Sequence, residues 1–332
     1  MNMRVCFYIS ILTVFTTCTS QPETLFKLVS PEQSGIHFQN TIQEKDTLNI
    51  LTVQYMYHGG AVAIGDFNND SLPDIFFSGN MVSNRLYINR GNLKFEDVTE
   101  QAGIGAIEKW NTGVALADVN ADGLLDIYVC ASIIPDSAQR ANSLFINKGI
   151  DKEGVPVFKD EAKQYGIADT GYSQNAAFLD YDKDGDLDLY VLTNLESDKI
   201  PSNYRPRLMD GSALNNDHLY RNNANGSFTE VTKEAGILIE GYGLGIGVAD
   251  INGDTWPDLY IGNDYVSNDV LYINNRDGTF TNQIKDRLKH QSLFSMGIDI
   301  ADINNDAHPD IITLDMLPEN NLRRKTVSGA GA

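Results

Sequence analysis

Cysteine, basic charge and long apolar runs are all scarce in this sequence. Its 332 residues include three cysteines, Cys6, Cys18 and Cys130. Two of these fall within the first 20 residues, so the rest of the chain has no pair from which to form a disulfide. Cys130 ends an apolar run and reads as a small buried hydrophobe rather than a nucleophile. Lys and Arg total 25 against 45 Asp and Glu, a net charge of −20. That charge repels phosphate backbones and excludes nucleic acid as a partner. Past residue 20 no segment is long and apolar enough to cross a bilayer as a helix. The five histidines, at 37, 58, 218, 290 and 308, share no repeat position. No nucleophile motif, glycine-rich phosphate loop or zinc signature occurs.

The N-terminus reads as an export signal over residues 1–20. Arg4 is the sole charge in the first 22 residues, and the apolar run from Val5 to Phe15 has the length of a signal core. Thr16-Thr17-Cys18 resembles a bacterial lipobox, which would place a diacylglyceryl group on Cys18, although Phe15 stands where that motif usually has Leu. Ordinary cleavage near Ser20 is the alternative. An exported domain without disulfides needs another source of rigidity, and bound metal is a candidate.

One unit then repeats five times. Its core is Asp66-Phe-Asn68-Asn-Asp70-Ser-Leu72-Pro-Asp74, then Asp118-Val-Asn120-Ala-Asp122-Gly-Leu124-Leu-Asp126. Asp180-Tyr-Asp182-Lys-Asp184-Gly-Asp186-Leu-Asp188 is the third copy. Asp250-Ile-Asn252-Gly-Asp254-Thr-Trp256-Pro-Asp258 and Asp302-Ile-Asn304-Asn-Asp306-Ala-His308-Pro-Asp310 are the fourth and fifth. Their first aspartates are 52, 62, 70 and 52 residues apart, a spacing that suits four-stranded propeller blades. In each unit an alternating run enters the Asp loop and a β-rich run leaves it. A third run follows, Leu86-Tyr-Ile-Asn89 in the first copy, and a turn leads to a fourth, Lys94-Phe-Glu-Asp-Val98. The expected fold is an all-β propeller with four full units and part of a fifth. A β-sandwich also has short strands, but would not repeat an acidic loop at the same point of every unit. Small residues on the first strand, such as Ala63, Ala115, Ala177 and Gly247, suit crowding about an axis; Asp299 departs from this pattern. The chain divides into the signal, an N-terminal segment 21–57, the repeats 58–316 and a tail 317–332. Leu51–Tyr55 is expected to add an outer strand to another blade.

The loops have the chemistry of calcium sites. Calcium takes six to eight hard oxygen ligands in forgiving geometry. Positions 1, 3, 5 and 9 offer side-chain oxygens, and position 7 (Leu72, Leu124, Asp186, Trp256, His308) offers a backbone carbonyl. Sixteen aspartates stand at the side-chain positions, over a third of all acidic residues. Empty, such clusters repel themselves, so up to five Ca²⁺ are expected. An EF-hand needs Glu at position 12 between helices; here position 12 is Phe77, Val129, Val191, Ile261 or Thr313 within β-rich runs. Magnesium, with its strict octahedron, fits less well. Only the third loop pairs Asp at position 3 with Gly at position 6, so it should bind most tightly.

These repeats resemble the FG-GAP/VCBS repeats of integrin α-subunit propellers and many bacterial surface proteins. The layout, with Asp315-Met-Leu-Pro318 after the fifth loop, is similar to bacterial cartilage-acidic-protein-like proteins, which commonly continue into an ASPIC/UnbV domain. The resemblance implies a seven-bladed ring, of which this chain would be a C-terminally truncated part. It also implies a partner docking on the face opposite the calcium loops. Two features fall there. One is the insert Thr193–Asn216, with Tyr204, Arg205 and Arg207. The other is an aromatic eight residues before each loop, Trp110, Tyr172, Tyr242 and Phe294, with His58 in the first unit. Such rings could stack on sugars or clamp a peptide, or simply pack between blades. The expected function is a non-catalytic, calcium-binding module for a glycan or protein at the cell surface, touching membrane only through an anchor on Cys18. The alternative is a polysaccharide- or phosphoester-processing enzyme, which a convergent acid–base pair on the opposite face would favour.

Overall fold

The computed structural model describes residues 24–105, 109–195, 206–264, 267–316, 320 and 322. The signal with Cys18, and Tyr204 and Arg205, lie outside them. Alternation of apolar with small or polar residues produces the strands of the five repeat units. The first sheet is a meander of β1 (Val62–Gly65), β2 (Asp74–Phe77), β3 (Arg85–Asn89) and β4 (Phe95–Asp97). The second contains β5 (Asn111–Ala117), β6 (Asp126–Ala131), β7 (Ser143–Ile150) and β8 (Pro156–Asp160). The third contains β9 (Ser173–Leu179), β10 (Asp188–Thr193), β11 (His218–Asn222) and β12 (Phe228–Glu230). The fourth contains β13 (Gly243–Ala249), β14 (Asp258–Asn263), β15 (Val270–Asn274) and β16 (Phe280–Asn282). Among the described residues the fifth sheet has two strands, β17 (Ser295–Ala301) and β18 (Asp310–Asp315).

The innermost strands β1, β5, β9, β13 and β17 lie side by side in chain order, as blades do about a common axis. The apolar core runs between the sheets. One cluster joins Phe67, Phe76 and Ile88 of the first blade to Ile127, Phe145 and Phe158 of the second. Similar layers join the second blade to the third, the third to the fourth and the fourth to the fifth. The small residues of the inner strands are explained by this crowding. A Cβ at Gly113 would lie 2.6 Å from the Gln174 carbonyl oxygen on the neighbouring inner strand, and one at Gly245 would lie 2.9 Å from the Ile298 nitrogen. Asp299 is exposed on β17, the inner strand of the last blade among the described residues.

After the outer strands of the first three blades the chain makes a short turn that ends in a left-handed glycine. The helices α2 (Thr99–Ala102) and α3 (Ala162–Tyr165) end at Gly103 and Gly166. Both glycines, and Gly236, face the carbonyl of the outer-strand phenylalanine in the next blade: Phe158, Phe228 and Phe280. The helix α1 (Pro31–Ser34), ending at Gly35, stands in the same relation to Phe95.

One expectation for the N-terminal segment is corrected. Leu51–Tyr55 forms no strand; a turn leads into a single helical turn, Gln54–Tyr57. The reason is local. The Asn49 carboxamide accepts hydrogen bonds from the Leu51 and Thr52 amides at 3.0 and 3.3 Å, which turns the backbone out of extension.

Candidate metal centres and the opposite face

All five Asp loops are the same hairpin. The residue before position 1 pairs with position 9: Gly65 with Asp74, Ala117 with Asp126, Leu179 with Asp188, Ala249 with Asp258 and Ala301 with Asp310. Positions 4 and 6 are left-handed in every loop, with φ of 57° at Asn69 and 69° at Ser71 in the first. Gly123 and Gly185 adopt this conformation freely, whereas Ser71, Thr255 and Ala307 hold it under strain. In the first, second, fourth and fifth loops the position 1 carboxylate (Asp66, Asp118, Asp250, Asp302) accepts the amides of positions 5 and 6. The position 5 carboxylate accepts the amide of position 7, from Leu72, Leu124, Asp186, Trp256 and His308 in turn. In the first, second, fourth and fifth loops the wrap folds positions 5 and 6 back onto the position 1 carboxylate.

Position 9 has a second role that the spacing alone did not reveal. Asp74, Asp126, Asp188 and Asp258 are wholly buried. One oxygen of each accepts the position 2 amide, from Phe67, Val119, Tyr181 and Ile251. The other accepts the amide of the asparagine ending the third strand, Asn89, Asn147, Asn222 and Asn274. Burial pushes the Asp74 and Asp126 carboxyls up to about 6 and Asp188 to about 7, against the downward pull of these amides. A nearby cation would restore the charged form.

The third loop differs from the rest. Carboxylate oxygens of Asp180, Asp182 and Asp188 all lie within 4.8 Å of one another. Asp180 Oδ1 and Asp182 Oδ1 are buried and have no hydrogen-bond partner. Two orphaned, converging carboxylate oxygens fit a hard divalent cation and little else. In the first, second and fourth loops the position 3 asparagine (Asn68, Asn120, Asn252) donates its amide to the position 5 carboxylate (Asp70, Asp122, Asp254) at 2.9–3.0 Å. Those loops partly satisfy themselves. The fourth goes further: Arg276 Nη2 lies 2.9 Å from Asp254 Oδ2 and supplies a cation from the protein. The loops also touch in sequence, Asn69 donating to the Gly123 carbonyl and Lys183 to the Thr255 hydroxyl. They therefore share one face.

The opposite face carries the second-to-third loops and the inter-blade links. Trp110 and Tyr242 are 2% and 5% exposed, so they pack internally and offer no face to a ligand. Tyr172 and Phe294 are half-buried, and His58 is exposed. Arg207 is committed internally, donating to the Glu240 and Asn268 carbonyls. The described residues include one acid–base pair here. His218 Nδ1 is hydrogen-bonded to Asp169, whose carboxylate also accepts from the Tyr220 hydroxyl at 2.7 Å and the Gly171 amide at 2.6 Å. Burial opposes the charge of Asp169 most strongly, but the hydrogen bond and charge of His218 together with the Tyr220 and Gly171 donors outweigh it and hold the carboxyl below its usual range.

A ring-like series of four-stranded antiparallel sheets, each with an acidic hairpin between its two inner strands, defines a repeat β-propeller. Over residues 59–129, 210–261 and 250–313 the sequence matches the FG-GAP-like repeat, and the chain belongs to that family. It is 32% identical to cartilage acidic protein 1 of Homo sapiens and of Mus musculus over 106 residues, 32% of this chain and 16% of each relative. The identity to the Xenopus tropicalis protein is 38% over 72 residues, 21% of this chain and 11% of the relative. The match thus spans a small fraction of the relatives' length. A solved Agrocybe aegerita lectin that recognises non-reducing terminal N-acetylglucosamine aligns at a TM-score of 0.42 and 17% identity, covering 77% of this chain and 61% of that one. A Bacillus licheniformis rhamnogalacturonan lyase aligns at 0.32 and 16%, covering 72% and 50%. No helix among the described residues is long and apolar enough to cross a membrane.

Proposed function

We propose that this chain is an exported, calcium-binding propeller that serves as a non-catalytic binding module for a glycan or protein ligand at the cell surface. The observation that carries the calcium reading is the pair of orphaned buried oxygens on Asp180 and Asp182. Four oxygen-rich loops of the same hairpin geometry accompany it. Calcium, when bound, supplies positive charge that holds the loop and its two flanking strands together. The protein's own residues do the rest: in the third loop the carboxylates of positions 1, 3 and 9 converge, position 7 would present its carbonyl, and in the four complete blades position 9 also ties the loop to the third strand. A lipid on Cys18 would tether the module to a membrane.

The enzyme reading draws on one feature, the His218–Asp169 pair. Asp169 already serves three donors, and no nucleophile is among them. The arrangement suits a structural brace better than a general base.

Thermal melts in excess Ca²⁺, excess Mg²⁺ and chelator test the proposal. A ligand that binds the native state alone raises its stability by about 2.7 kcal/mol at a hundredfold excess over Kd. Calcium should raise the melting temperature by several degrees over chelator and more than magnesium does. Coincident calcium and chelator curves would defeat the calcium reading.

A further inference from the structure

The inner strands contain a repeated irregularity that points to a ligand site. Each of β9, β13 and β17 has a register shift against its partner that leaves one residue unpaired: Gln174, Leu244 and Met296. β5 has the same shift across Thr112 and Gly113. Thr112, Gln174, Leu244 and Met296 all stand six residues before the first loop aspartate, as does Gly60 in the first blade. A bulge inserts an extra residue, bends the strand and re-aims a side chain. Repeated at one level of four neighbouring inner strands, it brings one residue from each to the axis, with Gly60 at the same level of the first blade. The result is an axial cavity of about 450 Å³ lined by these five residues together with Tyr57 and His58.

Gln174 also lines a second cavity of about 640 Å³, so the two share a wall. This second space lies between the N-terminal segment, Lys45 to Tyr55, and the second and third blades. The segment reaches across the molecule, since the Tyr55 hydroxyl donates to Asp264 of the fourth blade at 2.9 Å. Ser132, Tyr172 and Asn194 line the other side. Asn194 is 2% exposed, and its Oδ1 accepts no hydrogen bond. The Arg140 guanidinium lies 4.0 Å from the Tyr172 ring centroid. It is not available to an anion, because it donates to the carbonyls of Ile134, Pro135, Thr170 and Gly171.

We infer that this paired vestibule binds a neutral oligosaccharide, an inference that rests on the binding-module reading. The charge distribution sets the ligand class. The chain holds 45 acidic residues, yet neither lining contains Asp or Glu among the described residues. What the linings offer is carboxamides (Gln174, which donates to the Ser132 hydroxyl at 3.3 Å, and Asn194) and aromatic or aliphatic surface (Tyr172, Leu244). A pyranose has the same duality, hydroxyls around its rim and C–H groups on its faces. The buried acceptor on Asn194 needs a donor, and a sugar hydroxyl supplies one. Tyr172 offers ring surface to a sugar face. A charged peptide would find no ion-pair partner here apart from Lys45 at the rim.

Calorimetric titration of the full chain in saturating Ca²⁺ tests this, with maltopentaose, cellopentaose, mannopentaose and chitopentaose as probes and an oligogalacturonate as the charged comparator. At least one neutral probe should bind more tightly than the uronate. Gln174→Ala and Asn194→Ala should each weaken it by roughly fivefold to tenfold, the loss of about one hydrogen bond. Tyr172→Phe should retain binding and Tyr172→Ala lose it. Melts of each variant in Ca²⁺ separate lost binding from lost folding. Binding that every variant retains would move the site elsewhere and leave the module reading intact. If none of the sugars bound, or the uronate bound best, the saccharide assignment would fail while the calcium dependence of the melt stood. Selective retention of a peptide in place of all four sugars would likewise overturn it.

Discussion

At the scale of single residues, the exchange of nitrogen for oxygen at position 3 separates the loops. An asparagine there donates to its neighbour; Asp182 cannot, and it adds charge. Two carboxylates about 4 Å apart repel by about 4 kcal/mol at an effective dielectric constant of 20. The cation-free third loop is therefore the most strained and the one with most to gain from calcium. Asp182→Asn should weaken the tightest calcium site by roughly tenfold, because ligand charge tunes affinity. It should also narrow the gap between calcium and chelator melts. The fourth loop is the mirror case. Arg276 sits at φ 64°, where the first two blades have Gly91 and Gly149, and its side chain occupies the Asp254 carboxylate. Arg276→Gly relieves the backbone and removes the competing cation, so it should strengthen calcium binding at that loop. Calcium titrations of the two variants that changed neither in the stated direction would refute this ordering.

At the scale of elements, the asparagine that ends each third strand joins blade to blade. Asn147 donates to the Phe67 carbonyl of the first blade at 2.9 Å, and Asn274 to the Tyr181 carbonyl of the third at 2.8 Å. Phe67 and Tyr181 are position 2 of a loop, so the first and third Asp hairpins are stitched to the blades that follow them. Asn89 donates to Pro73 within its own blade. Removing Asn274 leaves a buried carbonyl without its donor, a loss of about 1–3 kcal/mol. Asn274→Ala should therefore lower the denaturant midpoint clearly more than Asn89→Ala, and equal midpoints would argue against the stitch. The asparagine was visible in the sequence as the end of a repeated Leu-[Tyr/Phe]-x-Asn run, but its partner lies 93 residues away and no local rule predicts it. Strands and loops were legible because their periodicity recurs five times, and three of the five ligand positions, 1, 5 and 9, are Asp in every loop. The axial lining was not. Its residues are Gly60, Thr112, Gln174, Leu244 and Met296, which share neither size nor polarity. At the position two residues earlier, His58 reaches the axial cavity and Trp110, Tyr172, Tyr242 and Phe294 do not line it, because the bulge between the two positions changes which side chain faces the axis.

At the scale of the whole molecule, the two ends of the described arc present unpaired edges. Pro31-Glu-Gln-Ser-Gly-Ile36 reads like Thr99-Glu-Gln-Ala-Gly-Ile104, and Gly35 packs on Phe95 as Gly103 packs on Phe158. The stretch before it, Leu25-Phe-Lys-Leu-Val29, holds the place along the chain that the outer strand holds in the first four blades, without forming a strand itself. A six-residue echo of the repeat is too short to show this without the packing of Gly35. Leu25, Phe26 and Leu28 are 91%, 85% and 98% exposed. At the other end β18 pairs with β17 alone among the described residues, and Leu314 is 65% exposed on it. An outer strand runs parallel to the second strand of its own meander, so these two edges complete a blade only with an antiparallel strand between them. Apolar, unpaired edges recruit strands from other chains. Residues 21–332 in Ca²⁺ should therefore self-associate as concentration rises through the micromolar range. Lysine at Phe26 and Leu314 together should shift the population towards monomer, because charge on an edge blocks pairing. Light scattering across a dilution series measures both. A wild-type protein that stays monomeric and cooperatively folded at every concentration would mean that the two edges meet a partner within one molecule.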